Sequence, residues 1–221
     1  MNVETVDYQD PGARVALQRS LRDTGFAVLA NHPITAERIT TIYDGWGVFF
    51  ADDKKFDYAV QQSRQDGYFA FRSENAKDSA IKDLKEFFHV YPDTTLPANL
   101  KAMTKAIYQD LQALGVELLS WIQQETPDYI SREFTMPLDA MMENSQKSLL
   151  RILHYPPVKQ AETGAIRAAA HEDINLITLL LSGSKPGLQA KDTTGNWHDI
   201  ACDGGMITIN NGDMLSMASN N

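Results

Sequence analysis

A single cysteine, Cys202, among 221 residues excludes an internal disulfide and any cysteine cluster for zinc or iron–sulfur. Basic residues are also scarce: 20 Lys and Arg against 29 Asp and Glu leave a net charge of −9. The cations are dispersed among acids, so a surface for phosphate backbones is not expected, and neither nucleic acid nor an anionic membrane is an expected partner. No apolar run approaches the roughly 18 residues of a membrane span. The opening MNVETVDYQD has neither the basic nor the apolar region of a signal peptide. These absences lead us to expect a soluble chain in a reducing compartment, the cytoplasm. Its length suffices for one sizeable core.

The periodicity changes along the chain. From Ala13 to Thr24, Val15, Leu17 and Leu21 sit at helical spacing, Gly25 can close the helix, and FAVLAN reads as a strand. Thr35 is a candidate N-cap for a second helix through Ile39, Ile42, Tyr43 and Trp46, with Gly45 and Gly47 weakening its later turns. Residues 63–79 are polar and read as a loop enclosing a short extended piece at Tyr68–Phe71; DLKEFFHV follows as a strand. The longest helix is expected over 98–124, with Leu100, Ile107, Leu111, Leu114, Leu118 and Ile122 on one face and Pro127 beyond its end. After Ser148 the runs LLRILHYP, NLITLLLS, GLQAKD, NWHDI, MITINNGD and MLSMAS are short and separated by turn residues, which predicts a β region. The expected division is 1–97, an N-terminal extension of helices and strands; 98–147, supporting helices; and 148–221, a β core.

Chemistry concentrates at AAAHEDINLITLLL, residues 168–181. In a strand, residues two apart point to one side with Cα atoms roughly 6.6 Å apart, so His171 and Asp173 can converge on one ion. One imidazole, one carboxylate and a second imidazole form the facial triad of non-haem Fe(II) oxygenases. The tripeptide is short, however, and a solvated loop in which Asp173 caps the next turn is the simpler reading of HED alone.

The surrounding segments add to it in order: LLRILHYPP before HED, LITLLL after it, then GLQAKDTTGNWHDI and MITINNGDMLSMASN, with LRDTGFAVLANHPI and DLKEFF upstream. Together they resemble the iron- and 2-oxoglutarate-dependent oxygenases of the isopenicillin N synthase-like family, over nearly the whole chain. The resemblance implies a mainly β fold with flanking helices, a double-stranded β-helix (jelly roll). It also implies Fe(II), 2-oxoglutarate as cosubstrate and O₂, a small-molecule substrate, and decarboxylation of 2-oxoglutarate to succinate. By that resemblance His171 and Asp173 are iron ligands, Glu172 points away, and Tyr155 helps hold 2-oxoglutarate. Leu153 stands where plant relatives carry an asparagine. Arg151, Asn210 and Asp213 match structural positions. His32 reads as packing, His154 should face away from Tyr155, and His198 lies where the family has no ligand.

The family's second iron histidine, and the arginine and serine that bind the far carboxylate of 2-oxoglutarate, come after the S-N that here is Ser219–Asn220. The expectation is therefore a C-terminally incomplete barrel that binds metal weakly, turns over negligibly and is prone to self-association. Two other readings stay open: an iron oxidase that does not use 2-oxoglutarate, and a non-catalytic binding module on a degenerate barrel.

Overall fold

The computed structural model describes residues 1–60, 64–74, 82–143, 145–157, 166–201 and 203–219. In chain order the first elements are β1 (Thr5–Asp7), α1 (Ala13–Thr24), β2 (Phe26–Ala30) and α2 (Ala36–Ala51). A 3-10 turn at Asp53–Tyr58 leads to β3 (Gly67–Phe69), β4 (Glu86–Val90) and the long α3 (Lys101–Glu125). Two short helices, α4 (Asp128–Ser131) and α5 (Leu138–Met142), precede β5 (Leu150–His154), β6 (Ile177–Leu181), β7 (Gln189–Lys191), β8 (Trp197–Asp199), β9 (Ile207–Asn211) and α6 (Asp213–Ser219). Sheets accompanied by helices are thus as expected. Part of the polar loop read over 63–79, namely 63 and 75–79, lies outside the described residues, as does Asn220. Among the described residues no helix is long and apolar enough to cross a membrane.

The chain forms two compact units. Unit 1 comprises Met1–Thr41, Gln109–Asn144 and Glu172–Asn221; unit 2 comprises Ile42–Tyr108 and Ser145–His171. In unit 1 a four-stranded sheet runs β1-β2-β9-β6. β1 and β2 are parallel and joined through α1, since parallel neighbours need a crossover. β2, β9 and β6 alternate in direction, aligning Val28 with Thr208 and Leu179 with Ile209. α1 buries Leu17 and Leu21, and Gly25, in the left-handed conformation at φ +76°, closes it by donating its N–H to the Leu21 carbonyl. Leu29, Ile207 and Ile209 are fully buried. β7 and β8 form a separate hairpin, whose Asp192 side chain accepts the amides of Thr194 and Asn196.

In unit 2 an antiparallel sheet runs β3-β4-β5, aligning Tyr68, Phe88 and Ile152 on one face. Against that face lie the aromatic residues of α2: Trp46 sits 4.9 Å and Phe49 5.6 Å from the Phe88 ring. The two glycines of α2 do not interrupt the helix, because burial of Trp46, Phe49 and Phe50 outweighs a local propensity cost of about 1 kcal/mol per glycine. The buried Glu86 carboxylate joins three segments, accepting from Lys55 Nζ at 2.9 Å, Tyr68 Oη at 2.5 Å and His154 Nδ1 at 2.7 Å. Burial pushes Glu86 up, but these donors outweigh it and hold it below the usual glutamate range.

Two expectations are corrected. MLSMAS, read as a strand, is the body of α6. Met214, Met217 and Ala218 share a helical spacing of i, i+3 and i+4, and the turn at Gly212 puts Asp213 in a first helical turn, where a carboxylate is favoured. His171 and Asp173, read as strand residues, lie in irregular chain ahead of β6. The segment carrying His171 is bonded to Asp83 and Leu84 instead of to a strand ladder.

Candidate metal centre

His171 ends unit 2 and is exposed. Its Nδ1 lies 2.8 Å from the Ala169 carbonyl. A carbonyl can only accept, so Nδ1 carries the proton and Nε2 is the nitrogen with the lone pair. That is the tautomer a metal-ligating histidine needs.

Asp173 belongs to unit 1 and is half-buried. Its Oδ2 accepts from Thr178 Oγ1 at 2.6 Å, on β6, and from Asn210 Nδ2 at 3.1 Å, on β9. Thr178 in turn accepts from Asn175 Nδ2, and the Asp173 carbonyl receives the Asp213 N–H at 2.9 Å. The N-x-G-D turn is therefore the mount of the carboxylate. Gly212 donates its N–H to the Leu176 carbonyl, and a Cβ there would collide with Asn175. Asn210, read from the sequence as structural, touches the proposed ligand directly. Thr178 was not singled out at all, although its hydroxyl in an otherwise apolar LITLLL run is the signal that could have found it.

Tyr155 follows β5 and is half-buried, with burial pushing its hydroxyl up. Arg167 donates to the Tyr155 carbonyl at 3.1 Å and holds its guanidinium 5.9 Å from the Tyr155 ring centre. His154 turns to the opposite side, as expected, stacking on Phe50 at 5.1 Å and binding Glu86.

The remaining histidines have other partners. His198 bonds Asp192 at 2.7 Å within the β7–β8 hairpin. His32 is buried and takes the Ile34 amide on Nδ1. His89 donates Nδ1–H to the Gln65 carbonyl and accepts from Arg151 Nε at 2.8 Å. Burial, reinforced by Arg151, depresses its pKa to about 4. Among the described residues no group of three His, Cys, Asp or Glu side chains is placed to hold a metal ion. The donors present are an imidazole in the ligating tautomer and an oriented carboxylate, which suit a hard-to-borderline cation such as Fe(II).

Comparison with known proteins agrees with this chemistry. Residues 146–221 match the 2OG-Fe(II) oxygenase superfamily, and residues 5–109 match the N-terminal region described as non-haem dioxygenase in morphine synthesis. The crystal structure of an assigned oxygenase from Shewanella oneidensis is 46% identical with a TM-score of 0.89, covering 100% of this chain and 79% of that one. A crystal structure described as a 2OG-Fe(II) oxygenase family protein, from Caulobacter crescentus, is 31% identical with a TM-score of 0.78, over 97% of this chain and 75% of that one. The chain belongs to the 2OG-Fe(II) oxygenase superfamily. Isopenicillin N synthase of Penicillium rubens is 27% identical over 93% of this chain and 70% of its own. For a 2OG-Fe(II) oxygenase, Fe(II)- and 2-oxoglutarate-dependent oxidation is the general activity, and the resemblance read from the sequence motifs is confirmed.

Proposed function

We propose that this protein oxidises a small-molecule substrate on a jelly-roll core, with His171 and Asp173 as iron ligands and Tyr155 against 2-oxoglutarate. The observation that carries the residue assignment is the paired support of the HED segment: a backbone carbonyl fixes the His171 tautomer, and Thr178 and Asn210 fix the Asp173 carboxylate. A solvated capping loop would need neither.

Held by His171 and Asp173, an Fe(II) ion would supply the chemistry that couples decarboxylation of 2-oxoglutarate to succinate with oxidation of the substrate by O₂. The chain's own residues bind and orient. His171 presents Nε2, Asp173 presents an oxygen whose direction its two donors set, and Tyr155 supplies a hydroxyl kept protonated by burial, able to donate to a cosubstrate oxygen. Leu153, on the same strand face as Tyr155, offers no polar contact there.

Fe(II)-dependent formation of succinate from 2-oxoglutarate tests the reading. His171→Ala and Asp173→Ala should abolish it, while His198→Ala should leave most of it. Equal loss in His198→Ala would overturn the ligand assignment. Binding of 2-oxoglutarate without formation of succinate would favour a non-catalytic binding module. Oxidation of substrate without consumption of 2-oxoglutarate would favour an iron oxidase.

A further inference from the structure

Unit 2 contains a buried cluster of charges that the oxidation chemistry does not use. Lys85, only 6% exposed, lies 2.9 Å from Asp83 and 3.0 Å from Glu74. Asp83 is 3% exposed. Burial pulls Lys85 down, but the two carboxylates outweigh it and hold its pKa above the usual lysine range. So dry a charge group persists only if every member is paired. The pairing uses Oδ2 of Asp83 for Lys85 and leaves Oδ1 directed at the Ala169 amide, 3.1 Å away. The same peptide segment is bound a second time, by the Leu84 N–H to the Ile166 carbonyl at 3.0 Å.

We propose that Asp83, clamped by Lys85, is a positioning residue for the iron ligand His171, acting through the backbone of Ala169: Asp83 Oδ1 accepts the Ala169 N–H, and the Ala169 carbonyl, in the next peptide unit, accepts the His171 Nδ1–H. The inference rests on the proposed role of His171. Its physical content is that an exposed imidazole on irregular chain has no tautomer or ring orientation of its own. Each is set by the hydrogen bond its other nitrogen makes. Here that bond goes to the carbonyl of Ala169, whose own N–H, in the peptide unit before it, is held by a buried carboxylate that pins the chain at this residue. The ion pair does not touch the metal; it keeps the acceptor of Nδ1–H stationary.

The test uses the full chain labelled with ¹⁵N-histidine at about pH 8, where an ordinary imidazole is neutral. Long-range ¹H–¹⁵N spectra of the metal-free protein read the tautomer of each histidine, with His171→Gln assigning the His171 signal. His89, an Nδ1–H imidazole bonded to Gln65 in the same unit, is the internal control for an intact fold. We expect His171 as Nδ1–H in the parent. Asp83→Ala removes the acceptor and Ala169→Pro removes the donor while leaving the ion cluster alone. Each should move His171 to a mixed tautomer with His89 unchanged, and each should weaken Co(II) binding about tenfold, the low end for an outer-shell partner. The double variant should lose no more than either single one, since both break the same bond. Asp83→Asn, whose amide oxygen can still accept, should restore the tautomer. If Asp83→Ala unfolds the unit, the His89 signal reports it, and Ala169→Pro decides. Retention of Nδ1–H at His171 in a folded Ala169→Pro or Asp83→Ala variant overturns the proposal. If instead the parent fails to bind Co(II) while its His171 tautomer still follows Asp83, the relay stands and the metal reading falls.

Discussion

Thr178 and Asn210 converge on one carboxylate oxygen of Asp173, and each can be removed with little change in shape. Thr178→Val exchanges a hydroxyl for a methyl on a strand where β-branched residues pack well. It should cost about tenfold in Co(II) affinity, read by absorption titration, while the unfolding transition moves little. His89 makes a second prediction at this scale. Its pKa in the folded chain is about 4 against an ordinary 6.5, because burial and the neighbouring Arg151 oppose a second cation. The unfolded chain therefore binds a proton first as the pH drops. The contribution of neutral His89 is fully present above pH 6.5 and is lost as the pH falls through about 4, up to about 3 kcal/mol in all. Denaturant unfolding followed from pH 7 to 4 should show this slope, and His89→Gln should flatten it. An unchanged slope would mean that other groups carry the acid sensitivity.

At the scale of elements, α1, β2, α3, β4, β5, β6 and β9 were legible because each carries a hydrophobic period, or an apolar run bounded by turn residues, that one local structure satisfies. The long helix starts at Lys101, about a turn later than Pro97 suggested, with Pro97 itself accepting the first amides. α6 was not read from the sequence although Met214, Met217 and Ala218 stand at i, i+3 and i+4, a helical spacing, because so short a run took the strand reading of the segments before it. The candidate site divides the same way. His171 and Asp173 were visible as a spaced pair among ordered motifs. Asp83 stood in a segment already singled out, DLKEFF, yet its partner is the amide of Ala169, 86 residues away, and a backbone donor leaves no mark on sequence. Glycines give the prediction here. Gly212→Ala would drive a Cβ into Asn175 beneath Asp173 and should cost about 1–3 kcal/mol. Gly47→Ala, on α2 with open space around the new methyl, should instead stabilise by up to about 1 kcal/mol. Chemical denaturation of the two variants checks both signs, and stabilisation by Gly212→Ala would refute the close packing of that turn.

At the scale of the whole molecule, a ligand that binds only the folded chain must raise its stability. Co(II) with 2-oxoglutarate at 100 times the dissociation constant should add about 2.7 kcal/mol, or roughly 5–10 °C in melting temperature for a chain of this size. His171→Ala and Asp173→Ala should each erase most of the increment, and an equal rise in those variants would place the ion elsewhere. The unit 1 sheet has a further consequence, one of timing. β2, completed by residue 30, finds its antiparallel neighbour only in β9, which begins at residue 207. At a synthesis rate of about 5–20 residues per second, the FAVLA strand waits roughly 10–40 s on the ribosome with one edge unmatched. The β3-β4-β5 sheet, by contrast, has all its strands by residue 154. The nascent chain can therefore finish unit 2 while unit 1 still holds out an apolar strand, and that strand is where a ribosome-associated chaperone would be needed.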